Sequence, residues 1–253
     1  MKTRIISGFI FALIFVGITF LPDIYIDFFF LLIILLAGYE LINAFNIGKY
    51  ELSKKILFLN LLTVFTFMQF EFESYLSFMI AILTILVYSI FKKNITLKNI
   101  GGQVFVMTYL SFLLMPIILL NNQKFIWLLY LLTWLTDTFA YFFGVKFGKH
   151  KLCERLSPKK SIEGAVAGSV FATIFAVLFC FLMNWEITVF SICLFLIATI
   201  LGQLGDLMAS LIKRQLNIKD YGNLIPGHGG IMDRMDSMFF VIPIVYIFML
   251  YLV

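Results

Sequence analysis

Three aspartates near the C-terminal end of the sequence are spaced so that they could act together on a charged substrate. Asp206 is followed by Ser210 and Lys213 at the fourth and seventh positions, so a helix would carry all three side chains on one face. Asp233 and Asp236 lie three residues apart and would also share a helix face. Mg²⁺ is commonly held by one or two carboxylates together with substrate phosphates. The pattern predicts a site for a metal ion and a polyanionic substrate.

Basic residues and glycines in the same stretch fit a substrate that carries phosphate. The basic residues are Lys213, Arg214, Lys219 and Arg234. Gly227, Gly229 and Gly230 surround His228, and glycines allow backbone N–H groups to approach phosphate oxygens closely. For any single residue here the alternative is a solvated loop with ordinary surface ion pairs and glycine turns. The combination favours phosphate binding.

A second stretch upstream has a similar character. It lies shortly before a long apolar run and carries hydroxyl and amine side chains. These belong to Ser157, Lys159, Lys160 and Ser161. If the apolar run is a helix, the positive end of its dipole would add to a phosphate site. The alternative is a basic cluster at the membrane surface that is attracted to anionic lipid.

The elements that must position these residues are predicted from composition. The residues Ala, Val, Ile, Leu, Met, Phe, Trp, Tyr and Cys make up 62% of the 253 residues, and charged residues make up 13%. Globular chains average about 45–50% and about 25% on similar sets. A water-soluble fold cannot bury that much apolar surface, and the composition also excludes disorder and a disulfide scaffold. We therefore expect an all-α polytopic membrane protein.

Apolar segments and basic residues together predict the topology. A spanning helix needs about 20 apolar residues, and suitable segments lie at residues 5–22, 27–45, 56–71, 75–91, 104–120, 125–144, 165–183, 187–205 and 237–253. With the N-terminus in the cytoplasm, all of the 19 Lys and Arg residues except Lys124 fall on the inner side. The net charge of +5 then reflects inner loops and not a nucleic-acid partner. Nine spans would place the C-terminus outside.

This topology divides the chain by function. Residues 1–103 form an N-terminal transmembrane region of about four helices, and residues 104–253 form a catalytic region of about five. Two long inner loops, 145–164 and 206–236, hold both of the candidate stretches. Irregular charged backbone is tolerated where it is not exposed to lipid, so we expect the active site at the cytoplasmic face.

Two acidic residues fall inside predicted spans. Asp137 in the sixth span is expected to face a polar cavity, because an ionised side chain is costly in lipid. Glu40 lies near the inner end of the second span, where its side chain could simply reach the headgroups. Gly164 and Gly168 form a small-xxx-small pair in the seventh span, which is typical of close helix packing.

The run from Ser210 to Asp236 reads Ser-x-x-Lys-Arg-x4-Lys-Asp-x-Gly-x3-Pro-Gly-His-Gly-Gly-x2-Asp-Arg-x-Asp. It resembles the signature motif of the phosphatidate cytidylyltransferases, the CDP-diacylglycerol synthases of phospholipid synthesis. The upstream Ser-Pro-Lys-Lys-Ser-x-Glu-Gly and the Asp-x-x-Ala-Tyr of the sixth span also resemble this family. Ser161 stands where we expect threonine more often, which keeps the hydroxyl.

The resemblance implies transfer of a cytidylyl group from CTP to phosphatidic acid in a bacterial cytoplasmic (inner) membrane, and it allows a homodimer. It implies that Asp206 and Asp233 bind Mg²⁺ with a second cation such as K⁺, and that Asp236 completes or orients this centre. Lys213 joins the three aspartates as a catalytic residue. The substrate-binding residues implied are Asp137, Ser157, Lys159, Lys160, Ser161, Ser210, Arg214, Lys219, His228, Gly229, Gly230 and Arg234. His228 is expected to contact phosphate and not to act as a base.

Two other functions fit parts of the pattern. A CTP-dependent lipid kinase of the polyprenol type would share much of this architecture. A secondary transporter would use many spans with an acidic residue such as Asp137, but transporter sites lie near the membrane midplane. Here the acids and bases concentrate at one surface, which favours an enzyme.

Overall fold

The computed structural model describes residues 2–70, 72–120, 123–227 and 229–252. The chain is 76% helical, which confirms the prediction of a nearly all-α protein. The helices are α1 (Lys2–Ile18), α2 (Asp23–Ile47), α3 (Lys54–Gln69), α4 (Ser74–Phe91), α5 (Leu97–Leu113), α6 (Gln123–Phe147), α7 (Ile162–Leu182), α8 (Val189–Gln215), α9 (Met232–Met235) and α10 (Met238–Leu252). A 3₁₀ helix (Met115–Leu119) follows α5, and an antiparallel hairpin of β1 (Lys151–Cys153) and β2 (Ser157–Ser161) follows α6.

Among the described residues, five helices are long and apolar enough to cross a membrane. They are α2, α6, α7, α8 and the continuous segment Leu97–Leu119 that contains α5. A helix rises about 1.5 Å per residue, so segments of 21 to 27 residues exceed the hydrocarbon thickness of about 30 Å. The other long helices, α1, α3, α4 and α10, have 15 to 18 residues. Each of the nine predicted segments overlaps one of these helices.

The helix surfaces are apolar where they are exposed. Phe91 is 81% exposed, Val189 79% and Phe9 65%, and many other large apolar side chains resemble them. Leaving such side chains in water would cost roughly 25 cal/mol per Å² of apolar surface. The exposed apolar helices identify a multi-pass membrane protein, as the composition predicts.

The chain forms two compact units. Unit 1 consists of Met1–Asn121 and Gln215–Arg234. Within it, α2 packs against α1, α3, α5 and the 3₁₀ helix. Leu41, Leu57, Leu61 and Leu110 are fully buried there. These boundaries differ from the division at residue 103 that the sequence suggests. That division separates a catalytic region from the rest of the chain, and it stays a prediction.

Unit 2 consists of Asn122–Arg214 and Met235–Val253. Its tightest contact joins α6 and α7 through small residues. A Cβ added at Gly164 would lie 2.9 Å from the Cα of Gly144, and one at Gly168 would lie 2.7 Å from the carbonyl oxygen of Thr136. The close packing predicted from Gly164 and Gly168 is therefore confirmed. The side-chain amide of Gln203 on α8 donates to Ser169 of α7 at 2.9 Å and holds these helices in register.

The two predicted inner loops contain more regular structure than expected. Helix α8 continues to Gln215, so residues 206–214 are helical, which is the condition for Asp206, Ser210 and Lys213 to share a face. The 145–164 stretch contains the β1–β2 hairpin, which the sequence did not predict. Ser161 ends the hairpin and caps α7, because its hydroxyl accepts the N–H of Gly164 at 3.2 Å.

Candidate active site

Unit 2 brings together three carboxylates, those of Asp137, Asp206 and Asp236, which we call the carboxylate cluster. Gly205 allows two of these residues, Asp206 and Asp236, to lie close together. A Cβ there would lie 2.6 Å from the carbonyl oxygen of Asp236, so the backbone of α8 approaches the residues that precede α10 as closely as glycine allows. This approach places Asp206, the next residue, beside Asp236.

Asp236 is the most buried member of the cluster, with 9% of its surface exposed. Burial raises the pKa of its carboxyl well above the usual range, and the negative charges of Asp206 and Asp137 raise it further. Two groups act in the opposite direction and lower the pKa in part: the positive charge of Lys213, and the N–H of Ser237, which donates to Asp236 at 2.9 Å. A cation at this point would stabilise the ionised form of Asp236.

Asp137 approaches the cluster from α6. Its Oδ2 accepts the hydroxyl of Ser237 at 3.3 Å, and its side chain is exposed. A small crevice beside it is lined by four hydroxyl-bearing residues and by apolar residues such as Leu132 and Val241; the hydroxyl-bearing residues are Thr133, Thr136, Thr199 and Ser237. Asp137 therefore has polar neighbours inside an otherwise apolar helix.

The β1–β2 hairpin supplies a basic side chain to the cluster. Lys160 of β2 forms an ion pair with Oδ2 of Asp206, and their side chains are 28% and 27% exposed. The hairpin is anchored by Glu163 of α7, whose carboxylate accepts the backbone N–H groups of Lys149 and His150 at 3.1 and 3.2 Å. The anchor fixes the start of the hairpin, and β2, which pairs with β1, carries Lys160. An ammonium beside carboxylates at a partly exposed position can bind a phosphate.

The remaining candidates of unit 2 occupy different environments. Ser210 and Lys213 are half-buried on α8, while Arg214 at its last turn is exposed. On β2, Ser157 is half-buried and Lys159 is exposed. Ser161 is buried and caps α7, so its hydroxyl already has a structural role.

Unit 1 holds the other part of the motif in an irregular segment, residues 216–231, which we call the glycine-rich loop. Asp233 in α9 fixes its shape: Oδ2 accepts the N–H of Tyr221 at 2.8 Å and that of Gly230 at 3.0 Å. Gly229 has φ +86°, a conformation in the left-handed region that favours glycine. Asp233 therefore shapes the loop in addition to any role in catalysis, and its predicted partnership with Asp206 stays a prediction.

The glycine-rich loop borders an open cavity of about 540 Å³. Its walls include the basic side chains of Lys219 and Arg234 and the polar side chains of Asp220 and Asn223. Gly229 also lines it, while the N–H of Gly230 is donated to Asp233. The volume and the two positive charges suit a polyanion of nucleotide size. His228 lies outside the described residues.

Glu40 is the residue whose place the sequence mispredicted. Its side chain does not reach the headgroup region, because only 3% of the residue is exposed. Instead, its Oε2 accepts the N–H of Met232 at 2.9 Å. The one sequence signal is an acidic residue in an otherwise apolar helix, and that signal does not name a partner.

The oxygen donors of the carboxylate cluster fit Mg²⁺. Among the described residues, no three His, Cys, Asp or Glu side chains converge closely enough to hold an ion by themselves. Mg²⁺ does not require three, because it usually takes one or two carboxylates and completes its shell with substrate phosphates and water. Asp206 is partly exposed, and the charge of a bound Mg²⁺ would stabilise the ionised form of the buried Asp236 beside it. These two residues could hold the ion.

Comparison with known proteins agrees with this chemistry. A relative from Bacillus subtilis (strain 168), a phosphatidate cytidylyltransferase, is 31% identical over 262 aligned positions that cover 97% of this chain and 96% of the relative. Relatives of the same name from Staphylococcus haemolyticus and Staphylococcus aureus (strain COL) are 42% and 41% identical over 122 residues. These matches cover 48% of this chain, and this chain spans only 47% of the length of either staphylococcal relative.

The model of the cytidylyltransferase family matches residues 2–252. The match includes both the carboxylate cluster and the glycine-rich loop. Because it extends over nearly the whole sequence, the chain belongs to the cytidylyltransferase family.

Proposed function

We propose that this chain is a phosphatidate cytidylyltransferase, which transfers the cytidylyl group of CTP to phosphatidic acid and releases pyrophosphate. The observation that carries the proposal is the match to the Bacillus subtilis phosphatidate cytidylyltransferase over nearly the whole of both chains. The carboxylate cluster and its lysines support it, because they suit a reaction between two phosphate-bearing substrates.

The proposed reaction is an in-line displacement. A phosphate oxygen of phosphatidic acid attacks the α-phosphorus of CTP and forms a new P–O bond. The bond from the α-phosphorus to the oxygen that bridges the β-phosphorus breaks, and pyrophosphate leaves with that oxygen. A phosphate monoester has its second pKa near 6 and is largely ionised at neutral pH, so the attack needs no strong general base.

The lysines and the aspartates at this site have different proposed roles. Lys160 and Lys213 place positive charge where the phosphates must meet, and Asp206 and Asp236 are the proposed ligands of Mg²⁺. Mg²⁺, when bound, would offset the negative charge that develops on the transferring phosphoryl group. The second cation and the share of Asp233 in its binding remain predictions from the family resemblance.

The proposed arrangement in the membrane has nine spans with the N-terminus in the cytoplasm. It also puts the β1–β2 hairpin and the glycine-rich loop on the cytoplasmic side of a bacterial inner membrane, where CTP is available. The distribution of Lys and Arg supports this orientation. Phosphatidic acid carries its phosphate at the headgroup plane, so a site at the inner surface can reach both substrates.

Cysteine labelling tests the orientation. In a variant in which Cys153, Cys180 and Cys193 are replaced by alanine, Lys219→Cys should react with a membrane-impermeant maleimide only after cells are opened. Lys124→Cys, the basic position predicted to lie outside, is the matched control and should react in intact cells. Reaction of Lys219→Cys in intact cells would contradict the orientation.

Labelled CTP separates the transferase from the lipid kinase. With phosphatidic acid and CTP, label from the α-phosphate should enter the chloroform-soluble product, and pyrophosphate should form in equal amount. A kinase would move the γ-label into lipid and leave CDP. Lipid that carries γ-label without α-label would contradict the proposed function.

A further inference from the structure

Glu40 makes a long-range contact that joins an N-terminal helix to the motif near the C-terminus. Its Oε2 accepts the N–H of Met232 at 2.9 Å, across 192 residues of sequence and within unit 1. An ionisable group buried in an apolar helix is costly unless hydrogen bonds compensate it. The N–H of Met232 compensates one of the two carboxylate oxygens, while Oε1 is buried without a hydrogen-bond partner among the described residues, so the position of Glu40 and the shape of the motif depend on each other.

Two glycines of the glycine-rich loop are required by the Glu40 carboxylate. A Cβ added at either Gly222 or Gly230 would overlap the carboxylate group. Neither residue has φ in the left-handed region, so the requirement for glycine at both positions comes from space and not from backbone conformation. The loop is therefore packed around the carboxylate of Glu40.

The same part of the loop is also held by Asp233. Gly230 contacts Glu40 and donates its N–H to Asp233 at 3.0 Å, while Tyr221, the neighbour of Gly222, donates to Asp233 at 2.8 Å. A second N-terminal contact, from the hydroxyl of Ser7 to the carbonyl oxygen of Pro226 at 2.9 Å, reaches the tip of the loop. The loop that carries Lys219 and leads into α9, the helix of Arg234, is thus shaped from α1 and α2.

We infer that Glu40 is a positioning residue for nucleotide binding, which sets the glycine-rich loop so that Lys219 and Arg234 face the cavity that receives the CTP polyphosphate. This inference rests on the proposed function for the identity of the nucleotide. It assigns a role in substrate binding to the N-terminal region, where the sequence pattern placed no site residue.

Steady-state kinetics with both substrates test the role. Glu40→Leu removes the acceptor of the Met232 N–H, and loss of a hydrogen bond to a charged group should raise the KM for CTP about tenfold to a hundredfold. The KM for phosphatidic acid should stay within about twofold of the wild-type value, because the glycine-rich loop is proposed to contact CTP and not the lipid. Glu40→Gln keeps an oxygen acceptor of the same reach and should restore most of the affinity for CTP.

Asn60→Leu is the matched control for a purely structural effect. Asn60 is fully buried in α3 of the same unit, and it bonds the carbonyl oxygen of Ala81 at 3.1 Å and the hydroxyl of Thr84 at 2.6 Å. Its loss should lower the fraction of folded enzyme, and hence the apparent kcat, without changing either KM. A Glu40→Leu enzyme that behaves in this way, or an equal rise of the CTP KM in Asn60→Leu, would overturn the inference.

Amide hydrogen exchange gives a readout that does not depend on activity. The Met232 amide should be protected in the wild-type protein and should exchange at least about tenfold faster in Glu40→Leu, but not in Asn60→Leu. Unchanged protection of Met232 in Glu40→Leu would overturn the positioning role. If the wild-type protein forms no CDP-diacylglycerol, the proposed function fails, while hydrogen exchange still decides whether Glu40 holds the loop.

Discussion

The two compact units hold their parts of the motif by different means. In unit 2, side chains from long helices and one strand meet directly: Asp206 pairs with Lys160, and Asp236 lies beside Asp206. In unit 1, the important groups are backbone N–H groups: Asp233 accepts those of Tyr221 and Gly230 in the glycine-rich loop, and Glu40 accepts that of Met232, directly after the loop. The difference indicates that substitutions in the carboxylate cluster of unit 2 should alter the chemical step, whereas those that displace the glycine-rich loop of unit 1 should alter nucleotide binding.

The largest effect is expected at Asp206. Asp206→Asn removes one negative charge from the proposed metal ligands, and loss of such a contact costs several kcal/mol, so kcat should fall by about a hundredfold to ten-thousandfold. Turnover measured across a range of Mg²⁺ concentrations checks this. Glu186→Gln, at an exposed acidic position of the same unit, is the control and should retain full activity. Near-normal turnover of Asp206→Asn at all Mg²⁺ concentrations would remove the assignment.

An intermediate effect is expected at Gly230, and it should fall on a different kinetic constant. Gly230→Ala places a methyl group against the Glu40 carboxylate, and such overpacking costs about 1–3 kcal/mol. The KM for CTP should rise by about fivefold to a hundredfold, with a smaller change in kcat. Gly101→Ala in α5, where an added Cβ has no neighbour within 4 Å, should change neither constant. A fall in kcat at unchanged KM would contradict the division between the units.

The smallest effect is expected at Asp220. Its side chain is exposed on the cavity wall, so Asp220→Asn should alter the KM for CTP by less than about fivefold, in line with the small energies of exposed charges. Initial rates at varied CTP concentrations measure the change. A loss of kcat as large as that of Asp206→Asn would mean that unit 1 also takes part in the chemical step.

The helices could be predicted from the sequence, but their ends could not. All nine apolar segments overlap a helix, because a run of bulky apolar residues has few other stable conformations in a membrane. The segment predicted to end at residue 205 nevertheless continues to Gln215. Hydropathy falls at Asp206, whereas helical hydrogen bonding does not depend on the polarity of the side chain. The β1–β2 hairpin was missed because its strands are short and lack an alternating apolar pattern.

The candidate site could be predicted only as far as local spacing reaches. Asp206, Ser210 and Lys213 lie on one helix, so their spacing already describes their common face. The ion pair of Lys160 with Asp206 depends on how a hairpin packs in unit 2, and no local pattern encodes it. Glu40 is the extreme example, since its partner is 192 residues away. Long-range partners of this kind require the folded chain.

The contact between Glu40 and Met232 has a consequence for the order in which the protein is made. Ribosomes add about 5–20 residues per second, so the 192 residues between the two positions take roughly 10 to 40 s to synthesise. During that interval α2 carries an acidic side chain whose final backbone donor does not yet exist. Glu40 must stay protonated or hydrated until the glycine-rich loop arrives, so this unit can complete its folding only after the last part of the motif has left the ribosome.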